Sequence, residues 1–151
     1  MMTKNTPNKQ CADTPFEVCL TYDGCNDCPS CNYWNAARLL LPHSNCLKRQ
    51  YACVIVKGGY IISKGYNTSL VACTTCARMD IEHNIGDYAE CQSVHAEQAA
   101  LIKARENSLQ GAELYLVCAD EVDPIPCPTC QKLLDWSGVK QVKEVQGEDN
   151  L

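Results

Sequence analysis

The chain has 151 residues, of which 46% are hydrophobic, and this composition fits one domain with one core. The formal charge of −5 provides no basic face for duplex DNA or RNA, so no nucleic-acid partner is expected. No run approaches the roughly 18 to 20 apolar residues of a membrane span, and no secretory h-region is evident. We therefore expect a cytoplasmic protein without membrane contacts.

Thirteen cysteines are the most unusual feature of the composition. A disulfide framework is the first explanation to weigh. An odd number of cysteines, no secretory segment and cysteine pairs at metal-ligand spacing argue against it. We therefore expect metal ligands and free buried thiols.

The chain divides into a predicted N-terminal tail with a cysteine-rich loop, residues 1–31, and a predicted domain, residues 32–151. The domain opens with apolar residues at helical spacing, which predict a helix over residues 32–41. We expect Ser30 to cap the start of this helix and Pro42 to end it.

The N-terminal loop contains Cys25, Cys28 and Cys31 at Cys-x-x-Cys-x-x-Cys spacing. This spacing is compatible with a zinc ion or an iron–sulfur cluster. A fourth ligand would be needed, and the candidates are Cys11, Cys19 and His43.

Two short apolar runs follow, at residues 51–56 and 60–62, and they flank Gly58 and Gly59. Two such runs around Gly-Gly predict a β-hairpin. Residues 66–91 have little periodicity and are predicted to form a long loop with one short helix at most. A loop of this length in a compact domain implies a functional or metal-binding reason.

The second half of the chain alternates helical and strand patterns. Helices are predicted over residues 94–105 and 128–136, with a strand at residues 114–118 between them. The valines of residues 139–145 step by three, which favours a helix over an alternating strand. The element order predicts an α/β domain with helices packed on a sheet.

Two short segments carry residues suited to metal chemistry, and each lies at the start of a predicted helix. His95-Ala96-Glu97 supplies an imidazole and a carboxylate, and Cys127 and Cys130 form a Cys-x-x-Cys pair. Helix N-termini stabilise thiolates. One histidine and two cysteines give zinc three ligands and leave its fourth position for water, as in catalytic sites.

This arrangement predicts hydrolysis of an exocyclic amine. Zinc would lower the pKa of its bound water from 15.7 to roughly 7, and Glu97 would carry protons from the water to the ring nitrogen and the leaving amine. His-x-Glu followed by Pro-Cys-x-x-Cys is the signature of zinc deaminases. The alternative is a closed structural zinc site with Glu97 in solvent, in a noncatalytic interaction module.

Several further segments match a known family over about residues 32–145. They are Ser44–Gln50 (SNCLKRQ), Val54–Lys57 (VIVK), Ile61–Asn67 (IISKGYN) and Val94–Glu97 (VHAE). On these segments the chain resembles the cytidine and deoxycytidylate deaminases, and it is most similar to deoxycytidylate deaminases. The resemblance implies a three-layer α/β/α fold with a central mixed sheet of four to five strands. It makes residues 139–145 the fourth strand, against their periodicity.

The resemblance also implies an activity, a substrate and an oligomeric state. The expected reaction is zinc-dependent deamination of a cytosine-containing nucleotide, most simply dCMP to dUMP and ammonia. Another base, a nucleoside or a nucleic acid remains an alternative substrate. Similar deaminases are usually oligomers, so we expect a homo-oligomer by analogy.

Family roles can be assigned to matched positions. Asn67 would bind the sugar hydroxyl, the backbone of Ala96 would contact the base carbonyl, and Lys48 or Arg49 would lie near a 5′-phosphate. A turn residue at position 67 and a solvated basic pair are the plainer interpretations. Some relatives carry a second, structural zinc, for which the matching residues are Cys46, Cys73, Cys76 and Cys91.

The chain also departs from the family pattern. Thr68 replaces the usual glycine after Gly-Tyr-Asn, and Tyr51-Ala52-Cys53 replaces Val-Gly-Ala. An acidic stretch at residues 120–123 precedes the Cys-x-x-Cys pair and is expected to alter the substrate or repel a phosphate.

Overall fold

The computed structural model describes residues 29–82, 91–104, 109–120 and 122–143. Cys25, Cys28 and most of the predicted tail therefore lie outside the described residues. Cys31 lies in the first described helix, where only the backbone is described. Among the helices of the described ranges, none combines the length and the apolar character needed to cross a membrane.

The sheet begins with the predicted hairpin. Strands β1 and β2 pair antiparallel, with a register shift between Ile55 and Val56. Gly58 and Gly59 form the connection at φ of 63° and 85°, a backbone conformation that glycine adopts without steric cost. The bounds are Tyr51–Lys57 for β1 and Tyr60–Tyr66 for β2.

Two further strands complete a mixed sheet of order β2-β1-β3-β4. Strand β3, Glu113–Cys118, pairs antiparallel with β1, and the short β4, Lys140–Gln141, pairs parallel with β3. Six consecutive residues of β1, Tyr51–Val56, are buried. Such a run without alternation fits a strand that is covered on both faces. The expected mixed sheet of four to five strands is confirmed, with four strands in the described residues.

One face of the sheet is covered by helix α1, Pro29–Arg38. Trp34 and Ala37 are buried against β1 and β3, and the ring of Trp34 meets Tyr115 edge-on with centroids 4.9 Å apart. A 3₁₀ helix, Leu41–His43, follows α1.

The other face is covered by helices α2 and α3, which contact each other. Helix α2, Ala96–Lys103, packs chiefly on β2 and β1, and α3 spans Pro128–Ser137. Ala96, Ala100 and Leu134 contribute to the core on this face. Helices on both faces give the three layers that the resemblance implied.

Some details of the first helix differ from the sequence prediction. Ser30 lies inside α1, so it is not the cap, and the helix ends at Arg38, before Pro42. Pro42 instead lies in the 3₁₀ helix, where a fixed φ is tolerated.

The helix favoured by the periodicity of residues 139–145 is wrong, and the strand implied by the resemblance is present as β4. Val139 packs into the core beneath α2 and α3, whereas Val142 packs against the core beneath α1. Residues three apart in an extended chain lie on opposite faces. The two valines therefore point to opposite faces of the sheet, and each packs against a different hydrophobic core. Residues 144 and 145 lie outside the described part.

The predicted long loop contains turns and bends but no helix between residues 67 and 82. Its start is fixed by a bridge between Thr68 and Val94, whose backbone groups exchange hydrogen bonds of 3.0 and 2.7 Å. This bridge brings the end of β2 next to the start of α2. Residues 83–90 of the loop lie outside the described part.

Candidate active site

Three side chains meet between the N-termini of α2 and α3. The Nδ1 atom of His95 lies 3.3 Å from Sγ of Cys130 and 3.4 Å from Sγ of Cys127. Within the described ranges, these three residues are the only group of potential ligands whose donor atoms all lie within 4.8 Å of one another. A nitrogen and a sulfur on one tetrahedral zinc lie roughly 3.6 Å apart, so this donor set fits zinc.

The helix ends place the three donors. His95 and Cys127 are the N-cap residues of α2 and α3, and Cys130 is the third residue of α3. The His95 backbone N–H donates to Oε1 of Gln98 over 2.9 Å, which fixes the entry of the chain into α2. Two helix N-termini therefore converge on the cluster, and their positive ends favour the thiolate forms of its cysteines.

The protonation of the cluster shows how strongly its members interact. A hydrogen bond with Cys130 is the main reason why the pKa of Cys127 falls to about 3, and a hydrogen bond with His95 lowers it further. The same contact with Cys127 raises the pKa of Cys130. The pKa of His95 is also raised, chiefly by its hydrogen bond to Cys127. A cation held between these donors would replace the protons that they share.

Glu97 is the second residue of α2 and lies beside the cluster without belonging to it. The residue is only 5% exposed. Burial raises the pKa of its carboxyl group, and the carboxyl is hydrogen-bonded to the Cys130 thiol. A buried carboxylate with a raised pKa accepts a proton readily, as a general base and acid should.

A pocket opens in front of this cluster. The predicted substrate residues Lys48, Arg49, Asn67 and Ala96 all line it, together with His95, Glu97 and Cys127. The structure therefore brings the four predicted substrate residues to one cavity. They come from separate parts of the chain: the loop before β1, the end of β2 and the start of α2.

Asn67 is buried and holds the preceding loop in place. Its Oδ1 accepts hydrogen bonds from Oγ of Ser44 over 2.6 Å and from the N–H of Tyr51 over 2.9 Å. Its Nδ2 donates to the carbonyl of Arg49 over 2.8 Å. The side chain thus fixes the loop between α1 and β1, which forms one wall of the pocket.

The two predicted phosphate residues are engaged with the protein. Lys48 Nζ donates to the carbonyl of Arg78 over 2.7 Å and to that of Ile81. Arg49 Nε forms an ion pair of 3.0 Å with Asp120, the first residue of the acidic stretch. The Asp120 carboxylate is therefore paired with a cation.

Besides Ser93 and Ile125, two residues of the pocket wall with ionisable side chains, Tyr51 and Arg78, were not predicted from the sequence. Burial raises the pKa of Tyr51, so its phenol stays neutral beside Arg49. Arg78 is 4% exposed although it lies in an aperiodic polar loop. A family departure at position 51 was the only sequence signal for either residue.

The four cysteines matched to a structural zinc lie close to the active site. Cys46, Cys76 and Cys91 line the active-site pocket, and all four line an adjoining pocket that includes Cys73. Their sulfurs are free thiols and do not form a compact cluster in the part of the chain that the structure describes. A four-sulfur zinc site stays a prediction.

Comparison with known proteins identifies relatives of the chain. Residues 29–145 match the family model for the cytidine and deoxycytidylate deaminase zinc-binding region. The deoxycytidylate deaminases of Schizosaccharomyces pombe and Saccharomyces cerevisiae are 33% and 34% identical to the chain over 117 and 115 residues. Each alignment covers 73% of this chain but only 34% or 35% of the yeast protein, so the chain spans about a third of their length.

A viral relative is closer to this chain in length. The deoxycytidylate deaminase of Mycobacterium phage D29 is 32% identical over 108 residues, which are 66% of this chain and 80% of the phage protein.

Solved structures show the same fold. The dCMP deaminase of cyanophage S-TIM5 in its apo form is 28% identical, with a TM-score of 0.54 over 80% of this chain and 86% of its own. The same cyanophage enzyme in complex with dCMP and dUMP is 27% identical, with a TM-score of 0.53 over 80% and 87%.

Proposed function

The chain belongs to the cytidine and deoxycytidylate deaminase family, and we propose that it hydrolyses dCMP to dUMP and ammonia. The observation that carries the proposal is the His95, Cys127 and Cys130 cluster with the buried carboxyl group of Glu97 beside it. The names of the relatives support the nucleotide, because each is a deoxycytidylate deaminase and one structure contains dCMP and dUMP.

The chemistry follows from the placement of Glu97. When bound to His95, Cys127 and Cys130, zinc activates water as a nucleophile near neutral pH. Glu97 takes a proton from the attacking water and passes it to the ring nitrogen beside the target carbon. A C–O bond forms at that carbon. Glu97 then takes the remaining proton from the new hydroxyl group and passes it to the exocyclic amine, so that the C–N bond breaks, ammonia leaves and the carbonyl group of the product forms.

Substrate orientation is assigned to the rest of the pocket wall. The Ala96 backbone N–H at the start of α2 would donate to the base carbonyl, and Asn67 would contact the sugar hydroxyl. Lys48 and Arg49 would lie near the 5′-phosphate. These assignments are supported by the position of all four residues around the pocket.

We further propose a cytoplasmic homo-oligomer with a second zinc at Cys46, Cys73, Cys76 and Cys91. The oligomer is supported by apolar side chains on the outer layer, since Ile102 of α2 is 77% exposed and Trp136 of α3 is 86% exposed. The second zinc is supported by the shared pocket of the four cysteines. A further metal at Cys25, Cys28 and Cys31 stays a prediction.

Replacement of Glu97 by glutamine tests the reaction. Glu97→Gln keeps the size of the side chain and removes its basicity, so kcat for ammonia release should fall by about 10²- to 10⁴-fold or more. Zinc content should stay equal to that of the wild type, because Glu97 is not a ligand. The matched control is Glu113→Gln on β3, whose carboxylate accepts a hydrogen bond from Tyr115 away from the pocket.

The substrate is tested by measuring ammonia release from cytosine, cytidine, deoxycytidine, CMP, dCMP and dCTP. The proposal expects the highest kcat/KM for dCMP. Retained activity in Glu97→Gln would contradict the mechanism. A zinc-loaded wild-type protein that releases ammonia from none of these compounds would instead favour the noncatalytic interaction module.

A further inference from the structure

Arg78 is a cation buried in the wall of the active-site pocket. It is 4% exposed and shares the pocket with His95 and Glu97. Arg78 therefore lies in the wall of the pocket that contains the candidate metal ligand His95, although it is 17 positions from His95 in the chain.

The surrounding loop holds Arg78 in place from both sides. The ammonium of Lys48 binds the backbone carbonyl of Arg78, and an Nη2–H of Arg78 donates to the carbonyl of Glu82 over 3.1 Å. An arginine fixed in this way loses little side-chain entropy when it meets a ligand. Preorganisation of this kind raises affinity for an anion.

The three basic side chains of the pocket differ in what they can offer a phosphate. The Arg49 guanidinium is paired with the carboxylate of Asp120, and the Lys48 ammonium is bound to two backbone carbonyls. The Arg78 guanidinium also donates a hydrogen bond, but to the neutral backbone carbonyl of Glu82. The planar fork of an arginine also matches two phosphate oxygens better than the point charge of a lysine does.

We propose that Arg78 binds the 5′-phosphate of the nucleotide directly and that Lys48 is a positioning residue that holds the Arg78 loop. The proposal rests on the proposed deamination of dCMP and adds to it the residue that selects a nucleotide over a nucleoside. The phosphate would then be bound by a residue of the long loop after β2, in addition to the loop before β1 that contains Lys48 and Arg49.

The test compares dCMP with deoxycytidine, which lacks the phosphate. Wild-type protein should have a clearly higher kcat/KM for dCMP. Arg78→Gln should lower kcat/KM for dCMP by about 10- to 100-fold, mainly through a higher KM. The same variant should keep kcat/KM for deoxycytidine within about twofold of the wild-type value. Arg78→Lys should recover part of the loss because it restores the charge. Lys140→Gln on β4 is the charge-matched control and should change neither value.

Zinc content and the thermal midpoint are measured on every variant to show that it is folded. Equal losses for dCMP and deoxycytidine in a folded variant would overturn the proposal and make Arg78 purely structural. Should both Arg78 variants fail to fold, the wild type still tests whether the pocket recognises the phosphate. Equal kcat/KM for the two substrates overturns the phosphate role while the deaminase function stands, whereas activity on neither substrate overturns the proposed function itself.

Discussion

The side chain of Asn67 holds in place the loop that forms one wall of the pocket. Its amide makes three hydrogen bonds, to Ser44, Tyr51 and Arg49, and these fix the loop that precedes β1. Both partners of a buried hydrogen bond lose water on folding, so removing one side leaves the other unsatisfied. Asn67 therefore couples the stability of the loop to the shape of the pocket.

We expect Asn67→Ala to lower the free energy of unfolding by about 2 to 4 kcal/mol, because it leaves the buried N–H of Tyr51 and the partly buried carbonyl of Arg49 without their partner. Urea denaturation measures this change. The control is Ser44→Ala, which removes the hydrogen bond to Asn67 and the one that Ser44 Oγ accepts from the N–H of Cys46 but leaves the other two bonds of the Asn67 amide. Because both lost bonds are only partly buried, this variant should cost less, about 1 kcal/mol. Equal losses in the two variants would show that the Asn67 amide does not hold the loop.

The cluster of candidate metal ligands was predictable from the sequence, and the burial of Arg78 in the pocket wall was not. His95, Cys127 and Cys130 lie at fixed spacings at helix N-termini, where local geometry alone determines which atoms face the site. Arg78 lies in a loop without periodicity, so its burial depends on contacts with Lys48 and with the loop itself. Such tertiary contacts leave no pattern in the local sequence.

At the scale of elements, the position of α2 depends on a close approach to β2. A Cβ added at Gly65 would lie 2.3 Å from the carbonyl oxygen of Ala96 and 2.7 Å from the backbone nitrogen of Ala100. Ser63, on the same strand, donates a hydrogen bond of 2.6 Å to the Ala100 carbonyl. The strand thus sets the distance to the helix that begins beside His95.

We expect Gly65→Ala to destabilise the fold by at least about 2 kcal/mol, because backbone atoms have to move to admit the methyl group. The same movement displaces the start of α2, so activity should fall along with stability. Thermal unfolding and ammonia release measure the two effects. Lys64→Ala, at the exposed neighbouring position, should change stability by no more than about 0.5 kcal/mol. A fully stable and active Gly65→Ala protein would contradict this close packing.

The strands differ in how well they could be predicted from the sequence. The hairpin and the central strands were predictable, because β-branched runs bounded by Gly-Gly specify them locally. Strand β4 was not predictable from periodicity, because its two residues pair with β3 and its flanking valines serve opposite cores. The family resemblance supplied the strand that the local pattern concealed.

At the scale of the whole molecule, the pocket lies where three parts meet: the layer of α2 and α3, the loop before β1 and the long loop after β2. The first part supplies the candidate metal ligands and Glu97, and the two loops supply much of the remaining wall. Only the first part is built from regular elements. The loops therefore need another source of order, and the four cysteines that adjoin both of them suggest a metal.

The second zinc makes a prediction for the intact protein. If Cys46, Cys73, Cys76 and Cys91 hold a structural zinc, the purified chain should contain at least two zinc ions, and Cys73→Ser should lower the content by one. Cys73 lines the adjoining pocket but not the active-site pocket, so the catalytic zinc should stay. The thermal midpoint should fall, because metal binding contributes folding free energy.

Elemental analysis together with thermal unfolding measures both effects, and Cys118→Ser provides the matched control. Cys118 is a partly buried free thiol at the end of β3, outside the proposed set, so its replacement should leave the zinc content unchanged. A wild-type zinc content of one per chain, or equal zinc in Cys73→Ser and the wild type, would rule out the second site. The order of the long loop would then have to come from its own hydrogen bonds, among them those of Lys48 and Arg78.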